Sequence, residues 1–228
     1  MIKYASNAFL ATKISYINEI ANLCEKTGVD VKEISVGMGS DQRIGERFLR
    51  AGPAYGGSCF PKDTKAIVDT GSKFKTNLSI IKSVIKSNNN RKKLLTIKAE
   101  KLLKGTLKKK SITFLGVTFK PNTDDMREAC SLTMIPHFSK KVLKVKYFDP
   151  TGPKKEFSKH KNVEYCSNIE LACLNSDLII LHTEWNEFKL LNFKKLVRKK
   201  NFIIYDMRNL YSPINMKKNK IKYFGVGR

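Results

Sequence analysis

The stretch ITFLGVTF, residues 112–119, decides the fold of the second half of the chain. It is a short run rich in β-branched and aromatic residues, which predicts a buried strand. Three similar runs follow, at residues 145–148, 178–182 and 202–205, and residues 127–140 and 169–175 between them have helical character. Strands that alternate with helices indicate a doubly wound, Rossmann-like parallel sheet.

A different pattern precedes this region. From residue 5 to about residue 26, apolar side chains recur every three or four residues, with Leu10, Ile14 and Ile17 on one stripe and Phe9 and Tyr16 beside it. This spacing predicts a long helix that is apolar over much of its girth. Such a helix must be buried on several sides, so we expect it to form the interface of a homodimer.

Further helices complete the first half. Gly28 predicts the end of the first helix, and Asp30 with Glu33 predicts the start of a second. Residues 78–103 predict another long helix, although the consecutive asparagines at 88–90 weaken its middle. We therefore predict an α/β chain of two domains: a central all-helical dimerisation domain at residues 1–104, and the Rossmann-like parallel-sheet domain at residues 105–228.

Composition limits the partners of the protein. The chain has 228 residues, 41% of them hydrophobic and 28% charged, which is typical of a globular protein. No apolar run reaches the ~20 residues of a membrane helix, and the first residues lack a secretory pattern, so we expect a cytoplasmic protein without a membrane partner. A formal net charge of +24 suggests nucleic acid, but no DNA- or RNA-binding motif accompanies the scattered lysines, and a solvated basic surface is the favoured interpretation.

One of the five cysteines stands out. The cysteines are odd in number and form no Cys-x-x-Cys pair, which argues against a disulfide framework or a structural zinc site. Cys59 lies in the glycine-rich loop GPAYGGSCFPKD, residues 52–63, just ahead of Pro61, a residue favoured in the first turn of a helix. A helix amino terminus and a neighbouring cation such as Lys62 both favour the thiolate form. Cys59 is therefore a candidate nucleophile, with an ordinary loop cysteine as the alternative.

The same loop resembles a known family. The segment GGSCFPKD, preceded by DQRIG at residues 41–45 and FLRAG at residues 48–52, is similar to the active-site region of the UDP-glucose/GDP-mannose dehydrogenase family. The resemblance extends to KYASNAF at residues 3–9 and to GVTFKPNTDDMRE at residues 116–128, so it covers essentially the whole chain. Within the family, residues 43–63 most resemble the bacterial members that act on UDP-glucose.

The resemblance implies a four-electron oxidation of a sugar alcohol to a carboxylate, with NAD as the oxidant and UDP-glucose as the ligand. Cys59 is implied to form a thiohemiacetal and then a thioester with the sugar carbon. Lys3 and Asn7, four residues apart on one helix face, are implied to stabilise the developing oxyanion, and Asp63 to help activate the hydrolytic water. Taken singly, Lys3 and Asn7 would be interpreted as an exposed lysine and a polar helix-start asparagine, and Asp63 as an acidic partner of the helix dipole.

The resemblance also implies binding residues. The residues implied to contact the substrate include Lys3 and Asn7, together with Phe48, Leu49, Arg50, Ala51, Gly52, Gly56 and Lys120. Arg43 is implied to reach a neighbouring subunit's site. Arg208 is a further candidate for substrate contact. Lys62 and Arg127 are the residues implied to contact NAD. No metal ligand is implied.

A dinucleotide fingerprint is not found. The segment GMGSDQ, residues 37–42, lacks the third glycine and follows a helix, so it does not fit Gly-x-Gly-x-x-Gly. We therefore expect that the main NAD-binding domain of the family lies outside this chain. A truncated reading frame, a split enzyme with a separate amino-terminal Rossmann polypeptide, and a non-catalytic nucleotide-sugar-binding or dimerisation remnant stay open, as does oxidation of GDP-mannose or UDP-N-acetylmannosamine.

Overall fold

A computed structural model describes all 228 residues, which form two compact units. Residues 1–92 together with residues 226–228 form the helical unit, and residues 93–225 form the sheet unit. The predicted domain boundary at residues 104 and 105 would assign the whole of the last long helix to the first domain, and it stays a prediction.

The helical unit contains four helices, α1 Ile2–Thr27, α2 Val31–Gly39, α3 Phe60–Lys73 and the first part of α4 Ser79–Leu102. Gly28 ends α1 in the left-handed conformation at φ 77°, and its N–H donates to Cys24 O at 2.8 Å. The carboxylate of Asp30 accepts a hydrogen bond from Lys32 N at the start of α2. Both ends are those that the sequence predicts.

Helix α1 has two different apolar faces. Its buried face carries mostly small side chains, such as Ala8, Ala11 and Ala21. A second apolar stripe is exposed, and its members are seven residues apart: Ile2, Phe9, Tyr16 and Leu23. Residues spaced by seven lie on the same face of a helix, so this stripe has the periodicity of a helix-pairing surface.

The chain's last three residues pack on the helical unit. Gly227 N donates to Glu25 Oε1 at 2.9 Å, and Gly227 O accepts from Val31 N at 2.9 Å. Gly227 has φ 71°, and a Cβ there would lie 2.5 Å from Val31 Cγ1. The close approach therefore requires glycine at this position.

The sheet unit is built on six parallel strands in the order β3-β2-β1-β4-β5-β6. The strands are β1 Ser111–Leu115, β2 Lys144–Phe148, β3 Val163–Tyr165, β4 Leu178–Leu181, β5 Ile203–Asp206 and β6 Lys222–Gly225. Helices α5 Ser131–Ser139, α6 Ile169–Cys173, α7 Phe193–Val197 and α8 Pro213–Lys218 accompany them. The core is apolar, with every residue of β4 fully buried. This order confirms the predicted doubly wound parallel sheet.

Some elements differ from the prediction. The strand predicted at residues 112–119 ends at Leu115, because Gly116 turns the chain at φ 74°. The helix predicted at residues 127–140 begins only at Ser131. Strands β3 and β6 were missed because they are short edge strands with charged residues, such as Glu164 and Lys222, inside them. None of the helices combines the length and hydrophobicity that crossing a bilayer requires.

Candidate functional site

Cys59 is the exposed cysteine of this chain. It is the residue that immediately precedes α3, and its carbonyl accepts a hydrogen bond from Asp63 N at 2.8 Å, which closes the first turn. Pro61 occupies the second position of the helix, where a missing N–H costs nothing. The other four cysteines are buried, and burial raises the pKa of the Cys173 thiol to about 12. Accessibility therefore distinguishes Cys59 from the cysteines that only fill the core.

A buried carboxylate lies one helical turn beyond Cys59. The side chain of Asp63 is fully buried, and its Oδ2 accepts a hydrogen bond from Asn7 Nδ2 at 2.6 Å. Lys3 Nζ lies 3.8 Å from the same oxygen, and Lys62 Nζ lies 3.9 Å from Oδ1. Oδ1 accepts no hydrogen bond from the protein, although it is buried. The structure thus brings Lys3 and Asn7, on one face of α1, together with Asp63 on α3.

Three buried polar side chains hold the loop that leads to Cys59. Asn18 Oδ1 accepts from Gly52 N at 2.9 Å, and Arg91 donates to Gly52 O through Nε at 3.1 Å and Nη2 at 3.0 Å. Asn88 Oδ1 accepts from Tyr55 N at 2.8 Å while its Nδ2 donates to Tyr55 O at 3.1 Å. Sequence reasoning missed Asn18, Asn88 and Arg91. Polar residues on otherwise core-facing positions of α1 and α4 are the signal that could have found them, since buried polar groups need partners.

The predicted substrate residues of this loop differ in exposure. Phe48 has an unusual left-handed backbone at φ 67°, and its ring packs edge-to-face on Phe60 with centroids 6.0 Å apart. Leu49 is buried, and its carbonyl accepts from Ser35 Oγ at 2.7 Å. Arg50 is exposed, whereas three small residues of the loop are buried: Ala51, Gly52 and Gly56. The loop therefore presents a cation and an aromatic edge to solvent above a buried small-residue backbone.

Arg43 contacts Asp41, and Asp41 is not one of the residues around Asp63. Its guanidinium makes a bidentate contact with Asp41, with Nη2 2.6 Å from Oδ2 and Nε 3.0 Å from Oδ1. These hydrogen bonds lower the pKa of the Asp41 carboxyl. The Arg43 side chain is 89% exposed, so the structure of one chain does not bring it to the Cys59 loop.

In the sheet unit, polar groups gather at the carboxyl ends of β1 and β2. The buried carboxylate of Asp149 accepts from Val117 N at 2.8 Å and from Thr151 N at 3.0 Å. Gly116, at φ 74°, leaves room for Thr183, because a Cβ at this position would lie 2.5 Å from Thr183 Cβ. In a doubly wound sheet the crevice outside the carboxyl ends, where strand order reverses, is the usual ligand site. Here that point lies between β1 and β4.

A buried histidine stabilises the same edge. His182 Nε2 accepts from Ser131 N at 3.0 Å, so Nδ1 carries the proton and donates to Thr183 Oγ1 at 3.0 Å. Thr183 Oγ1 in turn donates to Thr118 O at 2.6 Å. Burial, with a smaller contribution from Arg208, lowers the pKa of His182 to about 3. The ring is therefore neutral at pH 7 and acts as a fixed hydrogen-bonding link.

The basic residues predicted in this unit have different surroundings. Arg208 is mostly buried and donates to His182 O at 2.9 Å through Nε and to Phe119 O at 2.8 Å through Nη2. Lys120 is exposed, with Nζ 5.5 Å from the centroid of the Phe119 ring. Arg127 is 68% exposed and contacts both carboxylate oxygens of Asp125 at 2.9 Å. Arg208 thus shapes the loop after β1, whereas Lys120 and Arg127 present charge to solvent.

These features define a class of protein: a Rossmann-like α/β unit joined to a helical unit that carries an exposed thiol at a helix start. The central-domain model of the UDP-glucose/GDP-mannose dehydrogenase family matches residues 1–90, and the UDP-binding-domain model of the same family matches residues 113–213. The chain belongs to the UDP-glucose/GDP-mannose dehydrogenase family.

Individual relatives agree with this assignment. Over 230 residues the chain is 46% identical to a UDP-glucose 6-dehydrogenase of Rickettsia typhi, which covers 100% of this chain and 53% of the relative. It is 44% identical to UDP-glucose 6-dehydrogenase YwqF of Bacillus subtilis, covering 100% of this chain and 52% of that protein. The solved structure of a UDP-glucose dehydrogenase from Pyrobaculum islandicum superposes with a TM-score of 0.85 at 31% identity, over 99% of this chain and 50% of that one. The chain spans about half the length of the relatives it matches.

Proposed function

We propose that this chain is the catalytic and nucleotide-sugar-binding portion of an NAD-dependent dehydrogenase that oxidises UDP-glucose to UDP-glucuronate, with Cys59 as the covalent nucleophile. The observation that carries the proposal is the constellation at the start of α3. An exposed thiol precedes the helix, and one turn later a buried carboxylate is bonded to Asn7 and lies near Lys3. The relatives that are 46% and 44% identical are named for UDP-glucose.

The reaction balances through Cys59. Addition of the thiol to the sugar aldehyde forms a C–S bond, and the proton passes to the aldehyde oxygen, which gives a thiohemiacetal. Oxidation of that carbon gives a thioester, and attack by water then forms the new C–O bond, breaks the C–S bond and returns the thiolate. Overall, one alcohol and one water become a carboxylate with release of four electrons. Covalent capture divides a difficult oxidation into easier steps.

The residues near Asp63 have separate roles in this scheme. Lys3 supplies an ammonium and Asn7 an amide N–H, donors suited to the negative oxygen that develops on the sugar carbon. Asp63 orients both groups, because its Oδ2 contacts them at 3.8 Å and 2.6 Å. Its Oδ1 accepts no hydrogen bond from the protein. We assign Oδ1 to the hydrolytic water, whose proton it accepts.

The exposed cations fit a dinucleotide and a nucleotide sugar. Lys62 is 70% exposed and Arg127 68% exposed, and an ammonium and a guanidinium are suitable donors to a diphosphate. We assign these two to NAD, which supplies the hydride acceptor for each of the two oxidations. Lys120, at the carboxyl edge of the sheet, is assigned to the UDP diphosphate, and Arg208 holds its loop. The backbone of residues 48–52 and Gly56 is assigned to the sugar.

Dimerisation is part of the proposal. The exposed stripe of α1, which includes Phe9, Tyr16 and Leu23, is covered by the same stripe of a second copy. The heptad spacing suits antiparallel or parallel helix pairing. Arg43, 89% exposed in the single chain, is then available to a neighbouring subunit's site.

The test is NADH formation from UDP-glucose when an amino-terminal Rossmann polypeptide of the family is supplied. We expect activity with the wild-type chain and none with Cys59→Ser. Cys173→Ser is a less informative control because that residue is buried, so Ser72→Ala, an exposed serine near the far end of α3, is the better matched variant and retains activity. Activity in Cys59→Ser equal to wild type would contradict the covalent mechanism.

The matched family models also support a second function, a nucleotide-sugar-binding or dimerisation module without chemistry. Calorimetric titration separates the two. A chain that only binds nucleotide sugars would bind UDP-glucose but form no NADH with any amino-terminal Rossmann polypeptide. If no UDP-sugar binds, the nucleotide-sugar-binding version of this second function is excluded. Parallel assays with GDP-mannose and UDP-N-acetylmannosamine test the alternative substrates, and we expect UDP-glucose to give the highest rate.

A further inference from the structure

Three consecutive asparagines, Asn88, Asn89 and Asn90, lie in the middle of α4, although asparagine is a poor helix former. Asn89 and Asn90 are exposed, whereas Asn88 is only 5% exposed. Burying an amide costs free energy unless both its donor and its acceptor are satisfied. Asn88 therefore differs from its neighbours in having a buried partner.

That partner is the backbone of the cysteine loop. Asn88 bonds both the N–H and the C=O of Tyr55, at 2.8 and 3.1 Å, as a neighbouring strand would do. This reciprocal pair fixes the orientation of the Tyr55 peptide groups as well as their position. Arg91, one turn further along α4, holds the start of the loop through Gly52 O. One face of α4 thus anchors the loop at two points.

A short path connects the Tyr55 anchor to the thiol. The Tyr55 ring packs edge-to-face on Phe60, with centroids 6.1 Å apart, and the two rings share a small cluster with Val84 and Ala11. Phe60 is the first residue of α3 and the next residue after Cys59. Between Tyr55 and Cys59 the chain is Gly56-Gly57-Ser58, with Gly57 at φ 80°. Two glycines provide little stiffness of their own, so the placement of Cys59 depends on Tyr55 and Phe60.

We propose that Asn88 is a positioning residue for the Cys59 thiol: it holds Tyr55, and through the Tyr55–Phe60 contact it fixes the start of α3 beneath the sulfur. The inference rests on the proposed function in one respect, that Cys59 is the nucleophile. Without Asn88, the first turn of α3 loses its support from the loop. The Cys59 sulfur then loses its fixed position at the start of α3.

The experiment measures alkylation by iodoacetamide in the 228-residue chain, cysteine by cysteine, by mass spectrometry of the digested protein. The variants are Asn88→Ala and Asn88→Asp, and Asn90→Ala is the matched control from the exposed part of the same run. We expect Asn88→Ala to change the alkylation rate of Cys59 at neutral pH by about tenfold, because two hydrogen bonds that fix the loop are lost and each is worth about 1 kcal/mol, while Asn90→Ala stays at the wild-type rate. The four buried cysteines stay protected.

Asn88→Asp tests the same contact without a cavity. It keeps the volume and the acceptor for Tyr55 N, but a carboxylate oxygen replaces the donor to Tyr55 O. We expect a Cys59 rate at neutral pH at least as far from wild type as that of Asn88→Ala, because an ionised carboxylate repels Tyr55 O. At acidic pH the protonated carboxyl donates again, and the rate recovers towards wild type. Each rate is divided by the Asn90→Ala rate at the same pH. A purely structural role for Asn88 would produce the same pH dependence in the buried cysteines, whereas the inference confines it to Cys59.

Two results would overturn the inference. One is a Cys59 rate in both Asn88 variants equal to that of Asn90→Ala. The other is loss of protection of the buried cysteines in both variants, because Asn88 would then only maintain the fold. The proposed function has its own readout in the same samples: if UDP-glucose does not protect wild-type Cys59 from alkylation, the proposed function fails whatever the Asn88 variants do.

Discussion

The two units of the molecule differ in the contacts that stabilise each of them internally. In the sheet unit the two central strands are mainly apolar, and β4 and most of β1 are fully buried. In the helical unit the buried face of α1 is made of small residues, and the loop beside it is held by Asn18, Asn88 and Arg91. A polar network specifies one loop geometry, and the sheet unit also has one, in which His182 and Arg208 hold the loop after β1. In the helical unit the network holds the loop that carries the thiol, beside a helix face of small residues.

The first prediction tests whether the polar network of the helical unit serves chemistry. Asp63→Ala removes the proposed acceptor for the hydrolytic proton and unpairs Asn7 and Lys3. We expect NADH formation with the complementing Rossmann polypeptide to fall by about 100-fold or more, the range of lost general-base catalysis. Asp69→Ala, an exposed carboxylate of the same helix, is the control and keeps the wild-type rate. Equal losses in the two variants would assign the effect to the charge of α3 and not to Asp63.

The second prediction tests the exposed apolar stripe, which the sheet unit lacks. Phe9→Glu places a charge at the proposed helix pair, where burial of one large apolar side chain is worth about 2–3 kcal/mol. We expect the dimer dissociation constant, measured by sedimentation equilibrium, to rise by about 100-fold. Leu190→Glu alters the most exposed apolar side chain of the sheet unit and leaves the dimer intact. A wild-type chain that is monomeric at high concentration would refute the helix-pairing surface.

The third prediction concerns the buried histidine of the sheet unit. The pKa of His182 is lowered from its ordinary 6.5 to about 3 in the folded state, so the unfolded chain binds the proton first. The contribution of neutral His182 to the free energy of unfolding is fully present above pH 6.5 and is lost as the pH falls towards 3. Between pH 6.5 and 4.5 we expect the free energy of unfolding of wild type to fall by about 2 kcal/mol relative to His182→Gln.

Urea denaturation at each pH measures this difference. The carboxyls of Glu100, Asp125 and Asp177 have lowered pKa values in the folded state. Their contributions are lost only at more acidic pH and are common to both proteins, so the difference between wild type and variant isolates His182. Parallel pH curves for the two proteins would show that His182 is protonated without penalty.

The fourth prediction has the smallest effect. Lys120→Met removes one exposed cation from the carboxyl edge of the sheet, and single exposed charge contacts are worth about 1 kcal/mol or less. We expect calorimetry to show UDP-glucose binding weakened by about threefold to fivefold, with the difference shrinking as salt is added. Lys222→Met alters an exposed lysine at the amino end of β6, at the opposite edge of the parallel sheet, and leaves the affinity unchanged. A loss without salt dependence would point to a structural role for Lys120.

Much of the fold follows from sequence, for reasons visible in particular residues. The residues of β1 and β4 form strong apolar runs because both strands are buried on two faces, whereas Glu164 and Lys222 conceal the edge strands β3 and β6. The end of α1 at Gly28 and the start of α2 at Asp30 follow from local chemistry. Single-residue chemistry also predicts that Cys59 precedes a helix.

The interactions that hold the candidate site are harder to predict. Nothing local marks Asn88 as different from Asn89 and Asn90, since only long-range packing places it 2.8 Å from Tyr55 N. The contact of Asn7 with Asp63 joins residues 56 positions apart, and the resemblance to the family, not periodicity, brought both residues into the prediction. For Arg43 the single chain cannot show the implied contact. The resemblance implies that this residue reaches a neighbouring subunit's site, and in the single chain it is paired with Asp41.

The most direct test of the account uses UDP-glucose 6-aldehyde labelled with ¹³C at the aldehyde carbon. In a carbon NMR spectrum of the labelled compound bound to the 228-residue chain, we predict a thiohemiacetal resonance in addition to those of free aldehyde and its hydrate. The resonance should be absent with Cys59→Ser and present with Asn90→Ala. A bound aldehyde that gives the same spectrum with wild type and Cys59→Ser would contradict covalent capture at Cys59.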